Sequence, residues 1–346
     1  MATEVPAAEA APLTPEPLMQ MMLGMQVTGI LRAGVQLGVF DQIAEGKHEA
    51  NQIASAIGAD ERGTRILLDA LAAAGLLDTN GGYKLSPLAE AFLVSSRQTY
   101  LGAMVNILSN ERLWAGFEQL ADTVRRGGTL SEEHAETPAC AFWETFASSS
   151  VGVATPAAFA LVEALRPWAE ARERIAVLDV ACGSGLFGLT FASQFAQAQP
   201  TLLDWQNVLP LTRENVERMG LSERTSYIEG DVFEVPLGGP YDLILASHIF
   251  HHFNEQRCLE LLRRLAGALK PDGRLAINEF AATAQRPADE PFPSLFSVIM
   301  LVTTREGEAY PLSTYERWLG EAGFKQPEVH ESIGMPSRFV IADRSA

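Results

Sequence analysis

From Leu18 to about Val94, apolar residues recur at helical spacing. Met21, Met22, Met25, Ile30 and Leu31 are followed by Val35, Leu37, Val39 and Phe40. Asn51 is placed to cap a short helix carrying Ile53, Ala54 and Ile57, which Gly58 ends. Asp60 then opens a second helix with Ile66, Leu67, Leu71 and Ala74. Asp78–Gly82 has the composition of a hairpin turn, and Tyr83–Leu85 reads as a short strand. Helix, turn, helix and hairpin together outline a winged helix. Residues 100–165 also carry a helical pattern, with Met104, Ile107, Leu108, Trp114, Phe117, Leu120, Phe142, Trp143 and Phe146, interrupted by polar Arg125–Pro138.

The rhythm changes at Arg174. Strands are expected at Ile175–Ala181, Thr201–Leu203, Thr225–Ile228, Tyr241–Ala246 and Arg274–Phe280. Helices are expected at Leu186–Phe195, Leu209–Met219 and Glu255–Leu269. This alternation predicts a mostly parallel, doubly wound sheet with helices on both faces. Phe292–Leu301 reads as a helix with an apolar face. After a helix at Thr314–Ala322, Val329–Ser332 and Arg338–Ala342 look like an antiparallel hairpin closing the sheet edge. The expected fold is therefore α/β and Rossmann-like, preceded by a mainly helical winged-helix domain. The expected divisions are a disordered tail at 1–17, a winged-helix-like domain at 18–100, a helical connector at 101–165 and the α/β domain at 166–346.

Composition narrows the function classes. With 346 residues, 47% hydrophobic and 20% charged, the chain can bury the cores of about two domains. Lys and Arg total 26 against 43 Asp and Glu, a net charge of −17, so phosphate backbones should be repelled. The second helix of the winged-helix outline offers only Arg62 and Arg65 against Glu61 and Asp69. A dimerisation module fits it better than a DNA reader, and the methionine-rich helix before it suits subunit packing. Cys140, Cys182 and Cys258 lie far apart, without a Cys-x-x-Cys pair, and read as free thiols in a reducing compartment. No run of 18 apolar residues predicts a membrane span, and Met1–Pro17 lacks the layout of a secretory signal, so a cytoplasmic location is expected.

The first strand of the α/β region runs into Gly183-Ser184-Gly185-Leu186-Phe187-Gly188, a G-x-G-x-x-G loop between a strand and a helix. Nicotinamide, flavin and methyl-donor enzymes all use such loops, and charge separates them. Asp179 sits at the end of the first strand, Asp204 ends the second and Asp231 follows the third. Three carboxylates would repel a pyrophosphate. They would attract S-adenosylmethionine, which carries an ammonium and a sulfonium and no phosphate. Asp204 is placed to accept the ribose hydroxyls, Asp231 the adenine amino group, and Phe233 to cover the ring. Trp205, Gly230, Val232 and Ser247 lie at the same strand ends and, with Gly183 and Gly185, complete the expected cofactor contacts.

Residues 170–346 resemble class I S-adenosylmethionine-dependent methyltransferases. The resemblance rests on LDVACGSG, LLDWQNVLP, YIEGDVFE, SHIFHHFNEQRCLELLRRL, GRLAINEF and WLGEAGF. The order of parts is similar to small-molecule O-methyltransferases of the caffeate, acetylserotonin and hydroxyneurosporene type, whose N-terminal winged-helix dimerisation domain residues 18–95 resemble. The resemblance implies S-adenosylmethionine as methyl donor, S-adenosylhomocysteine as product, a homodimer and a small-molecule acceptor. It puts a catalytic base at His251 and its supporting acid at Glu279. The family's second acid aligns near Ala309, out of register with Glu306 and Glu308. The family's aspartate and tryptophan after the histidine are His252 and Phe253 here.

The residues agree with those roles. His251 follows the strand Tyr241–Ala246 at the carboxyl edge of the sheet, and Glu279 ends the next strand, where it can hold one imidazole tautomer. Zinc at His248, His251 and His252 lacks a third ligand type at suitable spacing, so no metal is expected. Acceptor-pocket walls are expected from Met104, Trp114, Phe142, Trp143, Phe146, Phe292, Phe296, Met300 and Val302, a set suited to a flat aromatic or polycyclic molecule. Three other readings stay open: methylation at nitrogen or carbon, a nicotinamide oxidoreductase using the same glycine loop, and a non-catalytic regulator that binds S-adenosylmethionine.

Overall fold

A computed structural model describes residues 13–138 and 140–345, which fall into two units, one ending at Ser109 and one beginning at Asn110. The expected tail lies outside the described residues up to residue 12. Its last part does not stay irregular, because helix α1 (Glu16–Met22) begins within it after Pro15.

In the first unit, α2 (Gly24–Gln36) and α3 (Val39–Ala44) precede the helix–turn–helix pair α4 (Ala50–Ile57) and α5 (Glu61–Ala73). Asp60 caps α5 by accepting the Gly63 N–H at 2.8 Å. The cap of α4 is Glu49 rather than Asn51, in a reciprocal capping box with Gln52. β1 (Leu77–Asp78) and β2 (Lys84–Leu85) pair antiparallel as the expected hairpin, followed by α6 (Pro87–Phe92) and α7 (Gly102–Leu108). Phe40, Ile53, Leu68 and Leu71 are buried in its core, each stabilising it by about 1.5–3 kcal/mol. Along α1 and α2, Leu18, Met19, Met21, Met22 and Met25 are exposed.

The second unit opens with α8 (Glu111–Glu118), α9 (Leu120–Arg126), α10 (Phe142–Ser149) and α11 (Val151–Glu170). Its sheet has seven strands: β3 (Ile175–Val180), β4 (Ala198–Asp204), β5 (Ser226–Glu229), β6 (Tyr241–Ser247), β7 (Leu269–Glu279), β8 (Glu328–Glu331) and β9 (Arg338–Asp343). They lie in the order β5-β4-β3-β6-β7-β9-β8, parallel from β5 to β7 and antiparallel in β9 and β8. Between them run α12 (Leu186–Gln194), α13 (Leu209–Arg218), α14 (Glu255–Ala268), α15 (Pro291–Thr303) and α16 (Leu312–Glu321).

Strand alternation divides the core. Ile175, Val177, Leu243 and Leu245 pack with α11 and α12, while Leu178, Val180, Ile244 and Ala246 pack with α14 and α16. α11 runs unbroken through residue 165, because Ala157, Leu161 and Leu165 seat it on the sheet. Two strands are longer than their patterns suggest. Pro200 stands inside β4, but β5 begins pairing only at Thr201, so its missing N–H takes nothing from that ladder. β7 starts at Leu269, and a register irregularity against β6 lets it pass polar Lys270–Gly273. Among the described residues, no single helix is long and apolar enough to cross a membrane.

Candidate active site

The carboxyl ends of β3, β4 and β6 meet where the strand order reverses, the position at which doubly wound sheets bind ligands. Two non-glycine residues there adopt left-handed backbone angles, Ala181 after β3 (φ 51°) and His248 after β6 (φ 55°). Such angles cost of order 1–3 kcal/mol and are retained where the surroundings demand them.

The glycine loop wraps around two acids. Asp179 is buried, and its Oδ2 accepts the Gly188 N–H at 2.8 Å. A Cβ at Gly188 would stand 2.8 Å from that same oxygen, so only glycine permits the approach. Asp204 accepts the Gly183 N–H and the Trp205 N–H, each at 2.7 Å. Two residues absent from the sequence expectations pin the loop from α13. The Thr212 hydroxyl donates to the Gly183 carbonyl at 2.6 Å, and Asn215 Nδ2 donates to the Ser184 carbonyl at 2.8 Å.

Burial pushes Asp179 up to about 7, with the Asp204 charge adding to the effect, and pushes Asp204 up to about 6. The loop is thus a negative environment that a cationic ligand relieves and a pyrophosphate aggravates. Each carboxylate oxygen keeps a second lone pair for such a ligand. Gly230 and half-buried Asp231 follow β5, and Asp231 Oδ1 accepts the Phe233 N–H at 2.8 Å, with Val232 buried between them. The Phe233 ring has the Arg257 guanidinium over one face at 3.6 Å and Phe253 at its edge, which removes that face from any base. Ser247 Oγ, at the end of β6, is buried without a partner among the described residues.

His251 lies in a short 3₁₀ turn, Phe250–His252, directly after β6. Its Nδ1 is 2.6 Å from Glu279 Oε2, and Glu279 Oε1 accepts the Phe250 N–H at 2.8 Å. His251 is 4% exposed and Glu279 1%, so solvent screening hardly weakens the pair. Burial disfavours either charge alone. It pushes His251 down to about 3 and Glu279 upward. With Nδ1–H donating to the carboxylate, Nε2 is left as the acceptor nitrogen.

No second acid joins the pair among the described residues. Gly307 packs against the backbone of His251 and His252, where a Cβ would strike the His251 carbonyl. Glu306 and Glu308 on either side are exposed, and Glu306 takes Asn254 instead. The fold does supply the third ligand type that sequence spacing lacked, since His248, His251 and Glu279 offer ligand atoms within 4.8 Å of one another. Both Glu279 oxygens are already engaged, however, one by the Phe250 N–H and one by His251, and the histidine–glutamate pair forms a hydrogen-bonded relay that His248 does not join.

Aromatic rings converge on this relay from two sides. Phe296 meets the His251 ring edge-on at 4.8 Å, with Phe280 and Phe292 behind it. Trp143 meets His252 at 5.1 Å, is joined by Phe142 and Phe146, and is fixed by donating Nε1–H to the Ala135 carbonyl at 2.8 Å. Met300 and Val302 are buried on α15, Trp114 lies half-buried on α8, and Met104 belongs to the first unit. Phe280 and Asn278 were not among the expected site residues. Both lie in the GRLAINEF segment on either side of Glu279, which was the available signal.

Comparison with known proteins agrees with this geometry. Residues 160–325 match the O-methyltransferase domain family and residues 19–95 the O-methyltransferase dimerisation domain, together more than half of the chain. Acetylserotonin O-methyltransferase of Mus musculus is 28% identical over 345 residues, covering 94% of this chain and 88% of the mouse protein. The 3-hydroxy-5-methyl-1-naphthoate 3-O-methyltransferase of Streptomyces sahachiroi is 27% identical, covering 89% of each chain. A solved Nostoc punctiforme structure assigned to the O-methyltransferases superposes with a TM-score of 0.89 at 28% identity, over 96% of this chain and all of that one. An acid-lined glycine loop, a buried histidine–glutamate pair at the neighbouring strand ends and both matching domains place the chain in the S-adenosylmethionine-dependent O-methyltransferase family.

Proposed function

We propose that the protein methylates a ring hydroxyl of a small aromatic or polycyclic metabolite, with His251 as general base and Glu279 as the acid that positions it. The buried His251–Glu279 pair at 2.6 Å carries this reading. The naphthoate enzyme of Streptomyces sahachiroi is named for a reaction at a ring hydroxyl, and the aromatic walls here suit an acceptor of that kind.

S-adenosylmethionine, when bound, supplies a methyl group on a cationic sulfur. Asp204 takes the ribose hydroxyls, Asp231 the adenine amino group, and Asp179 holds the loop and its negative potential. His251 Nε2 takes the proton of the acceptor hydroxyl. Because burial holds this imidazole neutral, complete transfer ahead of the chemistry is strongly uphill, so the proton moves as the oxygen is methylated. The imidazolium that forms is stabilised by the adjoining Glu279 carboxylate. Phe280 and Phe296 keep water from the developing charge, and most of the acceleration comes from alignment. The chain works as a homodimer, with the exposed methionines of α1 and α2 as the covered face.

The test is methyl transfer from labelled S-adenosylmethionine to a panel of phenols, hydroxyquinones and polycyclic hydroxylated metabolites, wild type beside His251→Ala. Product that falls about 10²- to 10⁴-fold in the variant is expected for a general base. Product that survives the substitution removes the base and points to carbon, nitrogen or an already ionised oxygen.

A further inference from the structure

His248 has a fixed ring and an unused polar atom. Its backbone is left-handed at φ 55°, and its N–H donates to the Asn278 carbonyl at 2.9 Å. Its ring lies 4.6 Å from Phe280. Asn278 Nδ2 lies 3.1 Å from His248 Nε2; with the amide assigned as donor, Nε2 is the unprotonated nitrogen and Nδ1 carries the hydrogen. Burial keeps the ring neutral, pushed down to about 4. That Nδ1–H is buried and meets no acceptor among the described residues. An unmade bond of this kind costs about 1–3 kcal/mol and is seldom kept without use.

The orphan donor lies beside the proposed base. Polar atoms of His248, His251 and Glu279 fall within 4.8 Å of one another, and Phe280 lies against both imidazoles, 4.6 Å from His248 and 6.0 Å from His251. A flat acceptor along that wall meets a hydrogen-bond donor and a hydrogen-bond acceptor side by side. We propose that His248 is a specificity-determining residue whose Nδ1–H binds a carbonyl oxygen ortho or peri to the hydroxyl that His251 deprotonates. The acceptor class is then a carbonyl-flanked phenol: a hydroxyquinone, a hydroxyaryl ketone or a salicylate-type acid. Such hydroxyls normally bond internally to their own carbonyl. Engaging that carbonyl with His248 frees the hydroxyl proton to face His251 Nε2. This inference rests on the reading of His251 as base.

Matched isomers test it: 1- against 2-hydroxyanthraquinone, 2′- against 4′-hydroxyacetophenone, and salicylate against 3-hydroxybenzoate. The readout is the flanked-to-unflanked ratio of kcat/KM, in which the effects of general misfolding cancel. Wild type should accept and favour a flanked isomer. His248→Phe should lower the ratio about 10- to 100-fold, as expected where a site loses its hydrogen bond to one substrate only. His248→Asn, which tolerates the left-handed backbone and keeps an N–H donor at the δ position, should hold the ratio closer to wild type than His248→Phe does, which separates lost recognition from lost folding. Dissociation constants of the same isomers in the presence of S-adenosylhomocysteine should change in parallel. The proposal fails if no flanked isomer is accepted or bound, if His248→Phe leaves the ratio unchanged, or if His248→Asn lowers it as far as His248→Phe does. His251→Ala run alongside reports separately on the base: turnover surviving there overturns that assignment, whatever the ratio shows.

Discussion

At the scale of single residues, His251 and Glu279 show burial and hydrogen bonding acting against each other. Burial disfavours the charged form of each, and each supplies what the other needs once a proton arrives. A histidine pushed down to about 3 is already a base at every working pH. The enzyme–substrate complex should therefore lack the acidic limb near 6.5 that a solvated histidine base gives. We expect kcat to stay level from pH 8 down to about 5. Glu279→Gln keeps one oxygen to accept from His251, turns its amide donor toward the Phe250 N–H and removes the charge that stabilises the imidazolium, and should lower kcat at least about 10- to 100-fold with the profile still level on its acid side. A pH series of kcat at saturating donor and acceptor measures both. A limb near 6.5 in the wild type would show a solvated, titrating base and contradict the burial argument.

At the scale of elements, the glycine loop is a strand end, a turn and a helix start held by α13. Gly188→Ala brings a Cβ to 2.8 Å from Asp179 Oδ2 and forces either the carboxylate or α12 to move. S-adenosylhomocysteine binding, measured by calorimetry, should weaken at least tenfold and the midpoint of thermal unfolding should fall. Unchanged affinity would mean that the Asp179–Gly188 contact does not shape the site. This loop was legible in the sequence because glycines and strand-end acids keep fixed spacing. The two-faced sheet was legible because strand and helix periods differ, and the terminal hairpin because its two short runs end the chain. Thr212 and Asn215 were not, since side-chain bonds to a loop some 30 residues away leave no periodic trace. Nor was the exclusion of Glu306 and Glu308, which depends on Gly307 packing against the His251 backbone. Glu279 was legible as a strand-end acid, but its two engaged oxygens and its contact with Phe250 are tertiary facts.

For the whole molecule, the site's acids couple cofactor, pH and stability. Asp179 and Asp204 have folded-state values of about 7 and 6, above the ordinary carboxylate value of about 3.9 that they regain on unfolding. Between those values the folded chain holds more protons than the unfolded one, so stability from these groups is present at low pH and lost as pH rises through 6 and 7. At pH 8 both are ionised, buried and mutually repelling in a chain of net charge −17. A sulfonium and an ammonium brought to the same place relieve that repulsion, so the cationic cofactor should stabilise the protein more at high pH than at low. The rise in unfolding midpoint produced by saturating S-adenosylmethionine should be larger at pH 8 than at pH 5.5. Its affinity should weaken below about pH 6, approaching tenfold per unit as Asp204 is protonated. Asp204→Asn should flatten both dependences. S-adenosylhomocysteine lacks the sulfonium and should show the smaller pH effect, which separates charge relief from shape fit. Equal shifts at the two pH values for both ligands would mean that the acids serve only to hold the loop backbone.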